Sequence, residues 1–178
     1  MSTQAANGRL AKTLLLVGRI ALAGIFLFAA YAKLKPQADV AWSAGSIRTS
    51  LAMFGMQVDS YQLLSPSLVN FVAHTLPPFE LFLGIWLLSG VLLPLSGLVT
   101  SGLLGGFFVV LIRSYRMGLE INCGCFGPGE RLGPGRLIGE GVLLAVAIAV
   151  TVGAFRIHRK RPTARISARG DVAVRPAN

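Results

Sequence analysis

Four long apolar segments dominate this chain, and they limit its possible folds more than any other feature. They cover about residues 13–32, 68–93, 96–113 and 137–155. Each is near the roughly 20 apolar residues that one helix needs to cross the hydrocarbon core of a bilayer. Only 13% of the residues are charged, against about 25% in soluble domains. We therefore predict an all-α integral membrane protein, built as a four-transmembrane-helix bundle in a lipid bilayer.

The first apolar segment, residues 13–32, has two interpretations. A cleaved signal peptide is one, because residues 30–32 have the small-x-small pattern of a cleavage site. A retained helix is favoured, since the segment is long for a signal peptide and contains Arg19. Lys33 and Pro36 follow the segment, and a proline after a basic residue is typical of a helix end.

Residues 37–66 have mixed composition. Trp42, Ile47, Leu51 and Phe54 recur at helical spacing with polar residues between them. This pattern predicts a short amphipathic helix that lies in the membrane interface. An ordinary loop with scattered apolar residues is the alternative.

Positive charge is concentrated after the last apolar segment, and it sets the predicted orientation. Residues 156–178 carry seven arginines and lysines against the single acid Asp171. Basic segments next to membrane helices stay on the cytoplasmic side, beside anionic lipid, so we expect a disordered cytoplasmic tail and no nucleic-acid partner. Four crossings then place the flexible lead, residues 1–12, in the cytoplasm as well. Residues 114–136 lie on the outer, periplasmic face of a bacterial inner membrane in this prediction.

The outer loop contains the only two cysteines of the chain, Cys123 and Cys125, separated by Gly124. A disulfide across one residue closes a small ring, and strained disulfides are more easily reduced. Gly124 and Gly127 allow the loop to present both sulfurs to a partner. We predict a redox-active pair that takes part in thiol–disulfide exchange. Two alternatives stay open: buried inert thiols, and half of a metal site completed by another subunit. No metal is expected, because a single C-x-C lacks the second ligand pair of zinc sites.

Charged residues inside the apolar segments are the other candidates for function. Arg19 and Glu80 lie within such segments, and Glu140 is in the first turn of the last one. Ionisable groups at membrane depth are costly unless they are paired or wet. We predict that Arg19 pairs with Glu80 or Glu140 and stabilises the bundle, with a proton path or a polar pocket as the alternative. Lys33 is expected at the outer rim, where positive charge would favour a thiolate.

Three stretches resemble the MauE/DoxX group of small bacterial membrane proteins. Residues 19–34 fit R-x4-G-x3-F-x4-K-L, residues 76–90 contain the P-x-x-E-x3-G-x-x-L-L-x-G pattern of the second helix, and residues 123–127 read C-G-C-F-G. The last of these, which includes Phe126, is the most specific. The resemblance covers about residues 13–155.

This resemblance implies a four-helix membrane domain that works beside a thioredoxin-like periplasmic protein, with Cys123 and Cys125 as the exchange pair. In MauE itself, the implied role is maturation of the disulfide-rich small subunit of methylamine dehydrogenase. No cofactor is expected. A quinone is unsupported, because the chain lacks the second cysteine pair of quinone-linked disulfide oxidoreductases.

Two functions of other classes remain possible on the sequence alone. The protein could be a non-catalytic scaffold that holds a thioredoxin-like partner at the membrane, and the cysteines would then be dispensable. It could also be a small-solute or proton-linked carrier that uses Arg19 and Glu80. Four helices are few for a carrier, so that function would require a homodimer.

Overall fold

The computed structural model describes residues 2–36, 40–119 and 132–173, and all regular structure in these ranges is α-helical. The helices are α1 (Ser2–Leu34), α2 (Ala44–Asp59), α3 (Pro66–Ser89), α4 (Leu93–Arg116) and α5 (Pro134–Ala173).

Four of these helices are long and apolar enough to cross a membrane. The candidate spans are Lys12–Leu34, Pro66–Ser89, Leu93–Arg116 and Pro134–Arg156. The predicted all-α fold with four apolar helices is therefore confirmed for the described residues. The side of the membrane on which the termini lie stays a prediction.

The two ends of the chain are helical where the structure describes them, and the flexibility expected of them stays a prediction. Helix α1 begins at Ser2, so most of the predicted lead at residues 1–12 is helical. Helix α5 continues to Ala173, well into the tail at residues 156–178 that we expected to be disordered. Extending an existing helix is far cheaper than starting a new one, and both ends are rich in alanine, lysine or arginine, which favour helices.

The turn between α3 and α4 comes earlier than the sequence suggests. The sequence predicts this turn at residues 94–96, between the second and third apolar segments. Helix α3 instead ends at Ser89, Gly90 follows it in the left-handed conformation with φ 69°, and α4 already begins at Leu93. Glycine has no Cβ to hinder this conformation, so it commonly follows a helix. Pro94 is in the first turn of α4 instead, where its missing N–H costs nothing.

The predicted amphipathic helix in residues 37–66 is present as α2, which excludes the loop alternative. Ser43 caps it: the Ser43 side chain accepts from the Ser46 N–H at 3.1 Å, and the Ser46 side chain accepts from the Ser43 N–H at 2.9 Å. Leu51 and Phe54 are buried. Helix α2 packs against α1 and α3, so it covers one end of the bundle.

The four long helices form a ring in which each neighbour runs antiparallel. Helix α1 packs on α3 and α5, and α4 packs on the same two helices. In the described ranges, the backbones of α1 and α4 do not come close across the ring, and neither do those of α3 and α5; side chains of all four helices meet in one hydrophobic core. The ring is the up-and-down arrangement that short connections favour, and it surrounds a central space.

Two glycines allow the close helix contacts that hold this ring together. A Cβ on Gly84 of α3 would lie 2.8 Å from Leu27 Cγ and 3.2 Å from the Ala23 carbonyl oxygen on α1. A Cβ on Gly97 of α4 would lie 3.2 Å from Thr151 Cα on α5. Small residues at these contacts are the usual means by which membrane helices approach closely.

Candidate functional site

A buried ion pair joins α1 to α3. Lys33 Nζ lies 2.9 Å from Glu80 Oε1 and 2.8 Å from Glu80 Oε2. Only 4% of the Lys33 side chain and 10% of the Glu80 side chain are exposed. Lys33 Nζ also lies 5.4 Å from the centre of the Phe54 ring on α2, a cation–π contact. One lysine thus ties three helices together.

Local sequence places Glu80 on the inner face of α3. The buried positions of α3 recur at intervals of three or four residues, which is one face of a helix; they include Ala73, Pro77, Glu80, Gly84 and Leu87. Pro77 and Pro78 lie one turn before Glu80, inside the helix. Prolines there remove two N–H donors and favour a bend, so α3 has fewer backbone hydrogen bonds next to the ion pair than a regular helix.

The ion pair corrects two expectations drawn from the sequence. Glu80 pairs with Lys33 and not with Arg19. Lys33 is not an exposed cation at the outer rim, because Phe54 of α2 covers it.

Arg19 acts at the other end of the bundle. It precedes Lys33 by 14 residues on α1, which corresponds to about 21 Å along a helix. Arg19 Nη2 donates to the Leu88 carbonyl oxygen at 3.3 Å, and its guanidinium lies against Gly90. A cation beside the last carbonyls of a helix is favourable, so Arg19 stabilises the C-terminus of α3.

A cavity of about 240 Å³ lies beside the ion pair, and all five helices contribute to its wall. Its polar or ionisable lining residues are Lys33, Gln57, Tyr61, Glu80 and Glu140. The rest of the lining is apolar and includes Phe26, Phe54, Val72, Leu76, Leu104, Phe107 and Leu143. Apolar cavities with a few converging polar groups are the usual form of small-molecule sites.

Glu140 belongs to this cavity rather than to a pair with Arg19. It is 4% exposed and lines the same space as Lys33 and Glu80. The bundle therefore brings three ionisable residues, from α1, α3 and α5, around one interior space. The sequence identified all three separately but gave no sign that they surround a common cavity.

The cysteine motif, Cys123 to Gly127, lies outside the described residues, as does its flanking sequence at 120–131. The described residues on either side are Leu119 and Leu132. Both pack against a cluster formed by Tyr61 and Leu111, and Tyr61 also lines the cavity. The two described residues that flank the cysteine segment therefore lie at the end of the bundle that contains the cavity.

The described histidine and the exposed aromatic residues in the described ranges do not form a further binding site. No group of three or more histidine, cysteine or acidic side chains in the described ranges could hold a metal ion, and the cysteines are not part of those ranges. His74 is exposed and its Nδ1 lies 2.8 Å from the Asn70 carbonyl oxygen of its own helix. Phe71, Phe79 and Phe82 are also exposed, as lipid-facing side chains would be.

Comparison with known proteins identifies a family that the chain matches. Residues 11–153 fit the family model described as methylamine utilisation protein MauE. This range covers well over half of the chain and includes the ion pair, Glu140 and the cysteine motif. Neither the curated proteins nor the solved structures include a significant match.

Proposed function

Because this chain belongs to the methylamine utilisation protein MauE family, we propose that it is a multi-pass membrane protein that supports maturation of disulfide-containing proteins outside the cytoplasm. Its chemistry is thiol–disulfide exchange through Cys123 and Cys125, with a thioredoxin-like protein as partner. Within methylamine metabolism the client would be the small subunit of methylamine dehydrogenase. The inner membrane is the proposed location, with the cysteines on the periplasmic face.

The observation that supports this proposal is the position of the described residues that flank the cysteine segment. Leu119 and Leu132 both pack onto the Tyr61–Leu111 cluster, so these two flanking residues lie at one site on the bundle. Cys123 follows Leu119 by only four residues in the sequence. A pair so close in sequence to a membrane bundle is suited to meeting a partner at the membrane surface.

The exchange itself needs no group beyond the two cysteines and a partner. One thiolate of the reduced pair attacks a disulfide of the partner, forms a mixed disulfide and releases one partner thiolate. The second cysteine then attacks the mixed disulfide. This step forms the Cys123–Cys125 bond and releases the second partner thiolate, so two electrons pass to the partner. The reverse sequence oxidises a partner dithiol by the same steps.

Labelling of intact cells with a membrane-impermeant maleimide tests the position and redox state of the pair. If the pair rests as an outward-facing disulfide, label enters only after mild reduction. Cys123→Ser/Cys125→Ser removes every thiol of the chain and therefore gives the background level of labelling. Adding Ser167→Cys to that background reports on the tail, which we expect to be labelled only after the membrane is broken.

The labelling results and the activity of the double-serine variant show whether the proposed exchange role holds. Label that enters without reduction indicates outward-facing free thiols, which are the reductant form of the same mechanism. Label that reaches the pair only in broken cells would place the segment in the cytoplasm and would contradict the periplasmic role. A double-serine variant that still supports full client maturation would instead indicate a non-catalytic scaffold.

A further inference from the structure

The cavity between the five helices is independent of the cysteine chemistry, and its lining identifies the molecule it would take. We propose that the cavity is a binding site for a lipid-soluble aromatic compound that carries a hydroxyl group, that is, a phenol or a hydroquinone. The argument rests on the size of the cavity, its aromatic wall and the acceptor atoms of Glu80.

Size selects a single substituted ring. The cavity has a volume of about 240 Å³, whereas an engineered apolar cavity of about 150 Å³ holds benzene. A ring with a short alkyl or methoxy substituent therefore fits. A drug-sized molecule does not, because pockets of that kind start at about 300 Å³.

The wall favours an aromatic ring over an acyl chain. Four of its side chains are aromatic: Phe26, Phe54, Tyr61 and Phe107. Aromatic rings gain from edge-to-face and offset contacts beyond the area they bury. The remaining wall is mostly leucine, isoleucine, valine and alanine, so the body of the ligand must be apolar and would arrive from the bilayer.

Glu80 selects a ligand with a hydroxyl donor. An ionised carboxylate offers about four acceptor sites and no donor, and Lys33 uses one site on each Glu80 oxygen. Glu80 lines the cavity, so its remaining acceptor sites are available to an O–H of the ligand. Glu140 adds a second carboxyl group to the same wall. An ether in place of the hydroxyl offers only lone pairs to these carboxylates.

A matched pair of probes tests the proposal on the full chain in lipid nanodiscs. Binding of 4-propylphenol and of its methyl ether, 4-propylanisole, is measured by isothermal titration calorimetry, with empty nanodiscs to correct for partition into lipid. We expect saturable binding of the phenol. The ether should bind about tenfold more weakly or worse, because a hydrogen bond to a charged group contributes at least that much.

Substitutions inside and outside the cavity test whether the phenol binds there. Val72 lines the cavity, and Val72→Phe should abolish saturable binding. Val142 is 57% exposed on the outside of α5. The same substitution there, Val142→Phe, should therefore leave phenol binding unchanged. Ala29→Leu fills the cavity from α1 and replaces the first variant if that one fails to fold. The substitutions Cys123→Ser/Cys125→Ser should leave binding unchanged, which separates this site from the proposed exchange reaction.

The Lys33→Met/Glu80→Leu variant tests the role of the carboxylate. It should lose most of the preference for the phenol over the ether, because it keeps the apolar wall and removes the Glu80 acceptor, while Glu140 remains on the wall. Three results would each overturn the proposal: heat that follows lipid partition alone, equal affinity of the wild-type chain for both probes, or equal loss of binding in Val72→Phe and Val142→Phe.

Discussion

Lys33 Nζ lies within 2.9 Å of both carboxylate oxygens of Glu80. This ion pair, which involves both oxygens, links the last turn of α1 to the middle of α3. Both side chains are almost fully buried. A buried charge is tolerable only while its partner is present. The pair therefore makes the position of α1 on α3 sensitive to the loss of either residue.

The first prediction concerns this pair. Glu80→Leu should lower the free energy of unfolding by about 3–5 kcal/mol, because it leaves the Lys33 ammonium buried without its carboxylate. Lys33→Met/Glu80→Leu should recover most of that loss, since apolar residues of similar volume can replace a buried pair at little cost. Denaturant unfolding of the purified chain measures both. A double variant as unstable as the single one would contradict the prediction.

The second prediction uses the distance between Arg19 and Glu80. Arg19 donates to the Leu88 carbonyl oxygen, about 21 Å along α1 from the level of Lys33. Substitutions separated by more than about 10 Å usually add, so Arg19→Ala and Glu80→Leu should have additive effects on unfolding, within about 0.5 kcal/mol. A larger coupling energy in the double-mutant cycle would restore the Arg19–Glu80 pairing that the sequence suggested.

The third prediction tests the contact between α1 and α3. A methyl group added at Gly84 meets Leu27 and the Ala23 carbonyl oxygen, so Gly84→Ala should destabilise the bundle by about 1–3 kcal/mol through overpacking. Gly102→Ala on α4 is the control, because nothing lies within 4 Å of its added Cβ. Thermal unfolding in one detergent compares the two, and equal melting temperatures would show that α1 and α3 do not pack at Gly84.

The fourth prediction concerns the start of α2. Ser43 accepts a hydrogen bond from the Ser46 N–H, and its replacement by alanine should cost about 1 kcal/mol. Ser65 precedes α3 and makes no such cap bond, so Ser65→Ala is a matched control with a much smaller effect. Hydrogen exchange at the first turn of α2 should accelerate in Ser43→Ala alone. Unchanged exchange there would exclude the cap.

The sequence predicts the helices of this protein better than their contacts. The lengths of the four apolar segments predict the four spans, because a helix needs about 20 apolar residues to cross a bilayer. The helical spacing of Leu51 and Phe54 likewise predicts α2. Boundaries differ where helix extension or proline placement decides them: α1 begins at Ser2, eleven residues before the predicted segment at residue 13, and α4 begins at Leu93, three residues before the predicted residue 96.

The partners of the charged residues could not be read from the chain. Lys33 looks like a rim residue in sequence because it follows the first apolar segment directly, and only the packing of α2 over it makes it internal. Arg19 and Lys33 of α1 are both basic residues near or within the first apolar segment, and the sequence does not show which of them meets Glu80. The register of α1 on α3, set by contacts such as Gly84 against Ala23, decides the pair, and a linear pattern does not contain that register.

Trapping of a mixed disulfide tests the central claim most directly. The chain has no cysteine besides Cys123 and Cys125, so Cys123→Ser and Cys125→Ser each leave one thiol that can attack a partner but cannot be resolved internally. In cells quenched with acid and alkylated, we predict that at least one single variant accumulates a covalent adduct with a thioredoxin-like protein. This adduct should disappear on reduction and be absent from the double-serine variant. If neither single variant forms an adduct and the double variant still supports client maturation, thiol–disulfide exchange is not the function of this protein.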